Sequence, residues 1–339
     1  MKEVKVGVAG FGVIGQRLAD GVDRQEDMEL VGVADVAPTL PVRALAERGM
    51  PYRMFAAAPG AEEALTGGGV PVSGSFDDLL SEVDIMLDAA PGGIGAKNKE
   101  KYVAAGVKAV FQGGEAGEVA DVFFHGYANY EMGLGQKYLK LTSCNTTGLI
   151  RAIDCLDRAV GIEKTAITIV RRVADPGDTH RGLVDSLLME PIPNHQASDL
   201  MSIMPHIDAT GLLVHAPVTH GHIITIVATP KQKVDKDVVL EAFGAHPRIR
   251  IVRIAEGFDT NTSLFNYARF LGHPRGDMYE VGLFEETVGM SGDDVMFAVN
   301  IPQESVTIPE TIDGIRAALE MQTDRLEAVG LTNKHLGIG

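Results

Sequence analysis

The sequence lacks several features that would assign it to other classes of protein. Only two of its 339 residues are cysteine, which excludes a disulfide scaffold and indicates a reducing compartment. No apolar run approaches the roughly 18 residues that a membrane helix needs. Basic residues number 30 against 46 acidic ones, a formal net charge of −16, which disfavours a surface for nucleic acid. We therefore expect a soluble cytoplasmic protein without membrane or nucleic-acid partners.

A glycine motif follows the first predicted strand. The alternating apolar segment 4–9 leads directly into Gly10-Phe11-Gly12-Val13-Ile14-Gly15, a G-x-G-x-x-G sequence that opens a helical pattern. Gly10 allows a tight turn, Gly12 lets the backbone approach a pyrophosphate, and Gly15 lets the helix and the strand pack closely. The context predicts a dinucleotide site that contains all six residues.

An acidic residue ends the second predicted strand. Asp35 lies about 20 residues after the last glycine of the motif, where a carboxylate can bind the adenosine ribose diol. A carboxylate there accepts hydrogen bonds from free hydroxyls but repels a 2′-phosphate, so NAD is favoured over NADP. Arg43 is the nearest cation downstream and could still reach a 2′-phosphate. An ordinary strand-end cap is the alternative role for Asp35.

Two further loops fall at the ends of predicted strands. Pro91 and Gly92 follow the strand pattern at 83–88, and Gly114 follows the one at 107–111. In open α/β sheets, ligands bind at the carboxyl ends of the strands. We count all three residues as cofactor contacts, and a plain turn is the alternative for the first loop.

Cys144 lies where a strand pattern at 138–142 gives way to a helical pattern at 147–159. A thiol at a helix N-terminus faces unpaired N–H groups and the positive end of the helix dipole, so we expect its pKa to lie below the ordinary value of about 8.5. A buried structural cysteine is the alternative, and packing is the role expected for Cys155. The polar residues that surround Cys144 suit an oxyanion or a phosphate, namely Ser143, Asn145, Thr146 and Thr147.

A cysteine nucleophile benefits from a nearby base, and histidine is the usual one. His220 and His222 form the best local cluster among the ten histidines, because they lead into the apolar strand pattern at 222–229. A structural role is the alternative for each of them. No third ligand has convincing spacing, so no metal site is predicted.

Two arginines end the long strand pattern at 164–173. Arg171 and Arg172 are candidates for phosphate or carboxylate recognition in an acidic protein. Adjacent strand residues face opposite ways, so at most one binds directly while the other forms an ion pair. His195 lies in the run 174–199, which reads as a long loop, and either donates a hydrogen bond to a ligand or lies on the surface.

The predicted fold class is α/β. Strand and helix patterns alternate through the first 142 residues, which is typical of a doubly wound parallel sheet, the Rossmann arrangement. After that point, strand patterns with few helices between them predict a second α+β catalytic domain with a mixed or antiparallel sheet. The domain prediction is 1–142 for nucleotide binding, completed by a C-terminal helix at 306–339, and 143–305 for catalysis.

Several of these segments recur together in one family. They are Gly7-Val-Ala-Gly-Phe-Gly, Ser143-Cys-Asn-Thr-Thr-Gly-Leu, Arg171-Arg-Val-Ala-Asp-Pro, Gln303-Glu-Ser and Thr332-Asn-Lys-His-Leu-Gly-Ile. In these motifs the chain resembles the archaeal-type phosphorylating glyceraldehyde-3-phosphate dehydrogenases over nearly its whole length. The combination is far more specific than the glycine motif alone.

The resemblance implies reversible oxidation of glyceraldehyde 3-phosphate, with NAD or NADP and inorganic phosphate, to 1,3-bisphosphoglycerate. Cys144 would carry a thiohemiacetal and then a thioester. His222 would be the base, and His220 is the alternative candidate for that role. Gln303 is counted as a further cofactor contact, and the family is typically a homotetramer. The expected contacts for the two phosphate groups are Ser143, Asn145, Thr146, Thr147, Arg171, Arg172 and His195.

One departure from the family pattern concerns the cofactor. Asp35 stands where the archaeal-type pattern commonly has a lysine that is associated with accepting NADP, which again favours NAD. Two other functions share parts of the pattern. A related acyl-phosphate reductase of the semialdehyde dehydrogenase type has a different cysteine motif, and a non-catalytic dinucleotide sensor would not need Cys144 and His222.

Overall fold

The computed structural model describes residues 4–112, 114–172 and 187–339. The chain divides into two compact units, Met1–Leu141 with Ile308–Gly337 and Thr142–Thr307 with Ile338–Gly339. Half of the segment 174–199, which the sequence predicts to be a loop, lies outside the described residues, namely residues 174–186. Within the described ranges, no helix is long and apolar enough to cross a membrane.

The first unit is built on a seven-stranded sheet in which every pair of neighbours is parallel. The strand order is β3-β2-β1-β4-β5-β7-β6, so the order reverses between β1 and β4, as in a doubly wound fold. The predicted Rossmann arrangement is confirmed. The strands are β1 (Val4–Ala9), β2 (Met28–Asp35), β3 (Arg53–Ala56), β4 (Ile85–Asp88), β5 (Lys108–Phe111), β6 (Val122–Phe124) and β7 (Tyr138–Leu141).

Helices complete the first unit, and local sequence signals set where some of them begin. Ser75 and Asp78 form a capping box at the start of α4, since each side chain accepts from the other's backbone N–H. Helix α5 is followed by Gly106, which adopts a left-handed φ of 70°. Because glycine has no Cβ, it can end the helix in this conformation without a clash. The helices are α1 (Val13–Asp23), α2 (Leu40–Glu47), α3 (Ala61–Gly67), α4 (Phe76–Glu82) and α5 (Ile94–Ala105).

The second unit contains an eight-stranded mixed sheet, which confirms the second part of the predicted fold class. Its order is β12-β13-β15-β11-β8-β10-β9, with β14 paired to β15. The pairs β8/β10 and β12/β13 are parallel, and the other neighbours are antiparallel. The strands are β8 (Ile162–Arg172), β9 (Leu188–Met189), β10 (Asp208–Ala216), β11 (His222–Pro230), β12 (Ile249–Val252), β13 (Val281–Phe284), β14 (Gly289–Ser291) and β15 (Asp294–Ile301).

The described residues of this second unit form four α-helices, α6 (Cys144–Val160), α7 (His195–Ile203), α8 (Lys236–Gly244) and α9 (Ser263–Phe270). Strand β10 is absent from the sequence-based prediction. Its central Gly211 weakens the strand pattern, yet a Cβ there would lie 2.4 Å from the carbonyl oxygen of Ile167, so only glycine permits this pairing.

The C-terminal segment differs from its prediction as well. The pattern at 309–326 predicts one helix, but the structure has α10 (Ile308–Ala318) and α11 (Arg325–Leu336). Glu320, between them, has a positive φ of 51°, which no residue of a right-handed helix adopts. Asp324 then caps the new helix through the N–H of Glu327, at 2.9 Å.

A fully buried arginine anchors α10 to the rest of the first unit. Arg316 has no exposed surface, and its guanidinium pairs with both carboxylate oxygens of Asp27. It also donates to Gln25 at 2.8 Å and to Thr332 at 3.1 Å. Such a group is tolerated in the interior only while its partners remain, because an unpaired buried charge is costly.

Substituting Asp27 by asparagine should destabilise the first unit strongly. We expect Asp27→Asn to lower the free energy of unfolding by about 3–5 kcal/mol, since the Arg316 charge would stay buried without its carboxylate. Urea unfolding followed by circular dichroism measures the effect. The matched control is Glu82→Gln, which breaks the exposed pair of Glu82 with Arg53 and should leave the midpoint unchanged. Equal midpoints for the two variants would contradict the assigned role of Arg316.

Candidate active site

The glycine motif in the first unit has the geometry of a nucleotide-binding turn. Gly10 has a φ of +84°, and a Cβ there would lie 2.9 Å from the carbonyl oxygen of Ala89. A Cβ on Gly15 would lie 1.8 Å from the carbonyl oxygen of Gly10, so both positions require glycine. At Gly12, the N-cap of α1, a Cβ would meet nothing within 4 Å.

The space beside Gly12 lies at the start of α1. No side chain caps α1. The backbone N–H groups at the start of the helix, those of Val13 and Ile14, are therefore available to an anion. Phe11 is buried, with 4% of its surface exposed, and its ring meets that of Tyr52 edge-on. Phe11 therefore holds the turn in place through its ring.

Asp35 links this turn to the end of β2. Its Oδ2 accepts from the backbone N–H of Phe11 at 2.8 Å, and its Oδ1 accepts from that of Val36 at 2.7 Å. The carboxylate thus caps the strand end and lies beside the glycine turn, and its contact with a ribose stays a prediction. A carboxylate can accept about four hydrogen bonds, which leaves capacity for the hydroxyls of a ribose.

The two predicted loops at neighbouring strand ends approach each other closely. A Cβ on Gly92 would lie 2.8 Å from the carbonyl oxygen of Gly114. Pro91 is exposed, and its carbonyl accepts from the N–H of Ile94 at the start of α5. The close approach explains the glycine at position 92, and the loop follows β4 at the carboxyl end of the sheet.

In the second unit, α6 and β11 bring a thiol and an imidazole together. Cys144 is the first residue of α6 and His222 the first of β11, and Cys144 Sγ lies 3.6 Å from His222 Nε2. Ser143 caps the helix by accepting from the N–H of Thr146 at 3.4 Å. The histidine is buried, with 2% of its surface exposed, whereas the cysteine is half-buried.

The electrostatics of Cys144 differ from the sequence-based expectation. Burial raises the pKa of Cys144 above its ordinary value, although the charges of Arg171 and Arg172 and the N–H of Asn145 oppose that shift. The prediction of a lowered pKa is therefore wrong, because loss of hydration outweighs the helix N-terminus. Burial and the same two arginines hold the pKa of His222 well below its usual range. The structure thus favours a thiol beside a neutral imidazole.

The two arginines at the end of β8 have different partners. Arg172 donates to Glu304 at 2.9 Å and to the carbonyl of Thr219 at 3.0 Å. Both side chains of this ion pair are largely buried. The side chain of Arg171 makes no hydrogen bond or ion pair to any residue in the described ranges. This division matches the prediction that one arginine forms an ion pair while the other is available to an anion.

The threonines beside Cys144 are buried and bonded within the protein. Thr147 lies 2.6 Å from the hydroxyl of Thr142. Thr146 donates to Asp199 at 3.2 Å and lies 2.9 Å from the hydroxyl of Ser143. Both hydroxyls therefore stabilise the start of α6 in this structure, and their contact with an anion stays a prediction.

Two other predicted contacts lie close to these elements. Asn145 is buried, with 2% of its surface exposed, and its Oδ1 has no hydrogen-bond partner among the described residues. His195 is exposed. It is the first residue of α7, capped by Asn194, and so the prediction that places it in a loop is wrong.

His220 and Gln303 line a cleft of the second unit. The cleft has an empty volume of about 270 Å³, and Phe265, Asp277 and Glu304 also border it. The ring of His220 packs on Phe265, with 4.3 Å between ring centroids, and burial lowers the pKa of His220. Gln303 is buried, and neither atom of its amide has a partner among the described residues. Of the two histidines, His222 is the one bonded to Cys144.

Sequence reasoning missed the residues that hold this site together. Glu304 binds Arg172, Asp199 binds Thr146, and Thr142 binds Thr147. Only Glu304 carries a usable signal, since it lies between Gln303 and Ser305 in a motif already singled out. Across the described ranges, no cluster of three or more histidine, cysteine or acidic side chains could hold a metal ion.

Comparison with known proteins places the chain among dehydrogenases. Residues 143–264 match the glyceraldehyde 3-phosphate dehydrogenase C-terminal domain. The chain is 36% identical to glyceraldehyde-3-phosphate dehydrogenase 2 of Methanosarcina barkeri, with 100% of this chain and 99% of the relative covered. It is 37% identical to the corresponding enzyme of Hyperthermus butylicus, with 100% and 98% covered.

Solved structures support the fold alone. The structure of aspartate semialdehyde dehydrogenase II from Vibrio cholerae superposes with a TM-score of 0.63 at 15% identity, covering 94% of this chain and 98% of that one. At such identity the likeness extends to the arrangement of strands and helices and no further. The similarity to the archaeal enzymes, in contrast, extends along the full length of the sequence. The chain therefore belongs to the glyceraldehyde-3-phosphate dehydrogenase family, of NAD(P)-dependent oxidoreductases, in its archaeal type.

Proposed function

We propose that the protein is a phosphorylating glyceraldehyde-3-phosphate dehydrogenase. It oxidises D-glyceraldehyde 3-phosphate with inorganic phosphate to 1,3-bisphosphoglycerate, reversibly, in glycolysis or gluconeogenesis. The contact of Cys144 with His222, beside two arginines, is the observation that carries this proposal. A nucleophilic thiol, an imidazole and cations together suit acyl transfer from an aldehyde to phosphate.

The candidate site residues of the second unit have separate proposed roles in this reaction. Cys144 forms the carbon–sulfur bond to the aldehyde and later carries the thioester. His222 hydrogen-bonds the sulfur and is the proposed base, which polarises Cys144 and shuttles the proton of the hemiacetal. Arg171 is the cation proposed to bind a phosphate group. Arg172 is paired with Glu304, and its positive charge favours the thiolate form of Cys144. The additional proposed anion contacts are Ser143, Asn145, Thr146, Thr147 and His195.

The cofactor contacts are proposed mainly in the first unit. The turn at Gly10–Gly15 would hold the pyrophosphate, and Asp35 the adenosine ribose. The loops at Pro91–Gly92 and Gly114 would contact the remainder, with Gln303 of the second unit as a further contact. When bound, a nicotinamide dinucleotide accepts the hydride that leaves the substrate. Asp35 makes NAD the preferred form, because its carboxylate would repel a 2′-phosphate.

Other parts of the proposal rest on the family relationship. We assign nucleotide binding to the unit that contains α1 and α10, and catalysis to the unit that contains α6. We further propose that the enzyme works as a homotetramer in the cytoplasm, without nucleic-acid or membrane partners. Chain length and coverage agree with those of the archaeal relatives.

The reaction itself is tested by phosphate-dependent reduction of NAD with glyceraldehyde 3-phosphate. We expect NADH formation that requires both substrate and phosphate. It should disappear in Cys144→Ser, whose hydroxyl is a poor nucleophile, while NAD binding measured by calorimetry persists. The matched control is Cys155→Ser, which changes a thiol bonded to the carbonyl of Ala242 in the interior. Turnover by Cys144→Ser would refute the nucleophile assignment. Activity with aspartate semialdehyde instead would indicate the related reductases.

Substitution of Asp35 tests the cofactor preference. Asp35→Lys should raise the ratio of kcat/KM for NADP over that for NAD by about tenfold or more, since removing one repulsion of roughly 1.4 kcal/mol changes an affinity tenfold. Asp35→Asn serves as the matched control, because its amide oxygen can still accept from the N–H of Phe11. We expect an intermediate ratio for it. An unchanged ratio in both variants would show that other residues choose the cofactor.

A further inference from the structure

A buried carboxylate from a neighbouring loop closes the start of helix α5. Glu115 directly follows Gly114 in the chain and has 8% of its surface exposed. Its Oε1 accepts from the backbone N–H of Gly95, the second residue of α5, at 2.9 Å. The residue that precedes the helix is Gly93, which has no side chain that could cap it. Glu115 therefore supplies both the acceptor and the negative charge that a helix start favours.

Two glycines let the backbone approach closely around this contact. A Cβ on Gly95 would lie 2.9 Å from Glu115 Oε1, and a Cβ on Gly92 would lie 2.8 Å from the carbonyl oxygen of Gly114. Neither Gly92 nor Gly95 has a positive φ, so close approach rather than backbone conformation requires them. Both contacts join the loop of residues 89–93, or the helix start beside it, to the loop that follows β5.

A second buried carboxylate fastens the beginning of the same loop. Asp88, the last residue of β4, has 2% of its surface exposed. Its Oδ1 accepts from the N–H of Ala90 at 3.1 Å. Its Oδ2 accepts from Asn98 at 2.9 Å and from the hydroxyl of Tyr102 at 2.6 Å, both on α5. The loop is thus tied to α5 at its beginning by Asp88 and at its end by Glu115.

The two carboxylates act against each other electrostatically. Burial raises the pKa of Asp88, its three hydrogen bonds oppose that shift, and the charge of Glu115 adds to it. Placing like charges near each other in the interior disfavours both ionised forms. This arrangement is a poor choice for stability alone, and it indicates that the loop has to be held in one place.

The loop fastened in this way packs against the glycine turn. A Cβ on Gly10 would lie 2.9 Å from the carbonyl oxygen of Ala89, and the N–H of Ala89 donates to the carbonyl of Ala9 at 2.8 Å. Strands β1 and β4, which end here, are the neighbours at which the strand order reverses. Ligands bind at such a point in open α/β sheets. A displacement of residues 89–93 would therefore move the carbonyl that packs against the turn proposed to hold the pyrophosphate.

We infer that Glu115 is a positioning residue for the dinucleotide, acting through the loop of residues 89–93 rather than by contact with the cofactor. Its carboxylate occupies the N-terminus of α5 and holds the loop in the conformation that receives the cofactor. Because that helix start already has an anion of the protein itself, the pyrophosphate is directed to the start of α1. The inference rests on the dehydrogenase function proposed above and deepens it, since it concerns how the same cofactor is held.

Binding of NADH, followed by its fluorescence, tests this role in the intact protein. Glu115→Ala should raise the Kd for NADH by about tenfold, because the lost hydrogen bond is one to a charged group, the stronger kind. Glu115→Gln should stay within about threefold of the wild type, since its amide oxygen can still accept from the N–H of Gly95. The matched control is Glu118→Ala, which removes an exposed carboxylate of the same segment and should leave the Kd unchanged. Equal Kd values for Glu115→Ala and Glu118→Ala would overturn the inference.

A fragment of the cofactor separates positioning from a general loosening of the unit. AMP carries the adenosine that Asp35 would bind, but it lacks the pyrophosphate and the nicotinamide half. We expect Glu115→Ala to bind AMP with the affinity of the wild type, measured by calorimetry, while its affinity for NADH falls. Equal losses of affinity for AMP and NADH would contradict a positioning role.

A substitution on the other side of the contact gives an independent test. Gly95→Ala keeps Glu115 but places a methyl group 2.9 Å from its carboxylate, so the carboxylate has to move, while alanine itself favours the helix. This variant should weaken NADH binding about as much as Glu115→Ala does. In the double variant the two losses should not add, because no carboxylate remains for the methyl group to displace. Additive losses would contradict the assigned contact.

Turnover distinguishes failure of this inference from failure of the proposed function. In the oxidation of glyceraldehyde 3-phosphate, Glu115→Ala should raise KM for NAD and keep kcat within about threefold of the wild type, as for loss of binding alone. A fall in kcat with an unchanged KM would overturn the inference while the function stands. If the wild type binds NADH but does not oxidise the aldehyde, the proposed function fails and the comparison of NADH affinities still decides the role of Glu115. Absence of NADH binding by the wild type would refute both.

Discussion

The second unit depends on one buried contact, that between Cys144 at the start of α6 and His222 at the start of β11. Neighbouring residues hold both side chains in position. The helix is capped by Ser143, with the threonine hydroxyls bonded behind it, and the strand is fixed by its pairing with β8 and β15. The N–H of Arg172 completes the arrangement by orienting the imidazole. A thiol and an imidazole are thus held in one geometry before any substrate arrives, which is what preorganised catalysis requires.

The charge balance around this contact shows two effects in competition. A helix N-terminus and two arginines favour the thiolate of Cys144, whereas burial favours the thiol, and burial prevails in the structure. The same burial keeps His222 neutral.

The sequence was informative where a local pattern decides the structure. The glycines at 10 and 15 leave no room for a side chain, and the parallel strands of the first sheet follow from alternating apolar segments. Cys144, His222 and the arginine pair could be singled out from residue type and position, and the structure brings the thiol and the imidazole into contact. Other features depend on tertiary context. Gly211 weakens the sequence pattern of β10, a strand that forms because β8 supplies its pairing partners. The positive φ of Glu320 interrupts a sequence pattern that is otherwise helical. The internal bonding of Thr146 and Thr147, and the burial that raises the pKa of Cys144, arise only once distant segments pack together.

The central claim is that Cys144 becomes covalently acylated during aldehyde oxidation. The most direct test is mass spectrometry of peptides after the enzyme reacts with glyceraldehyde 3-phosphate and NAD without phosphate, followed by an acid quench. The account predicts an acyl adduct on Cys144 and no adduct on Cys155. It also predicts that the adduct is lost when phosphate is added before the quench. An unmodified Cys144 with NADH still formed, or an adduct that phosphate does not discharge, would contradict it.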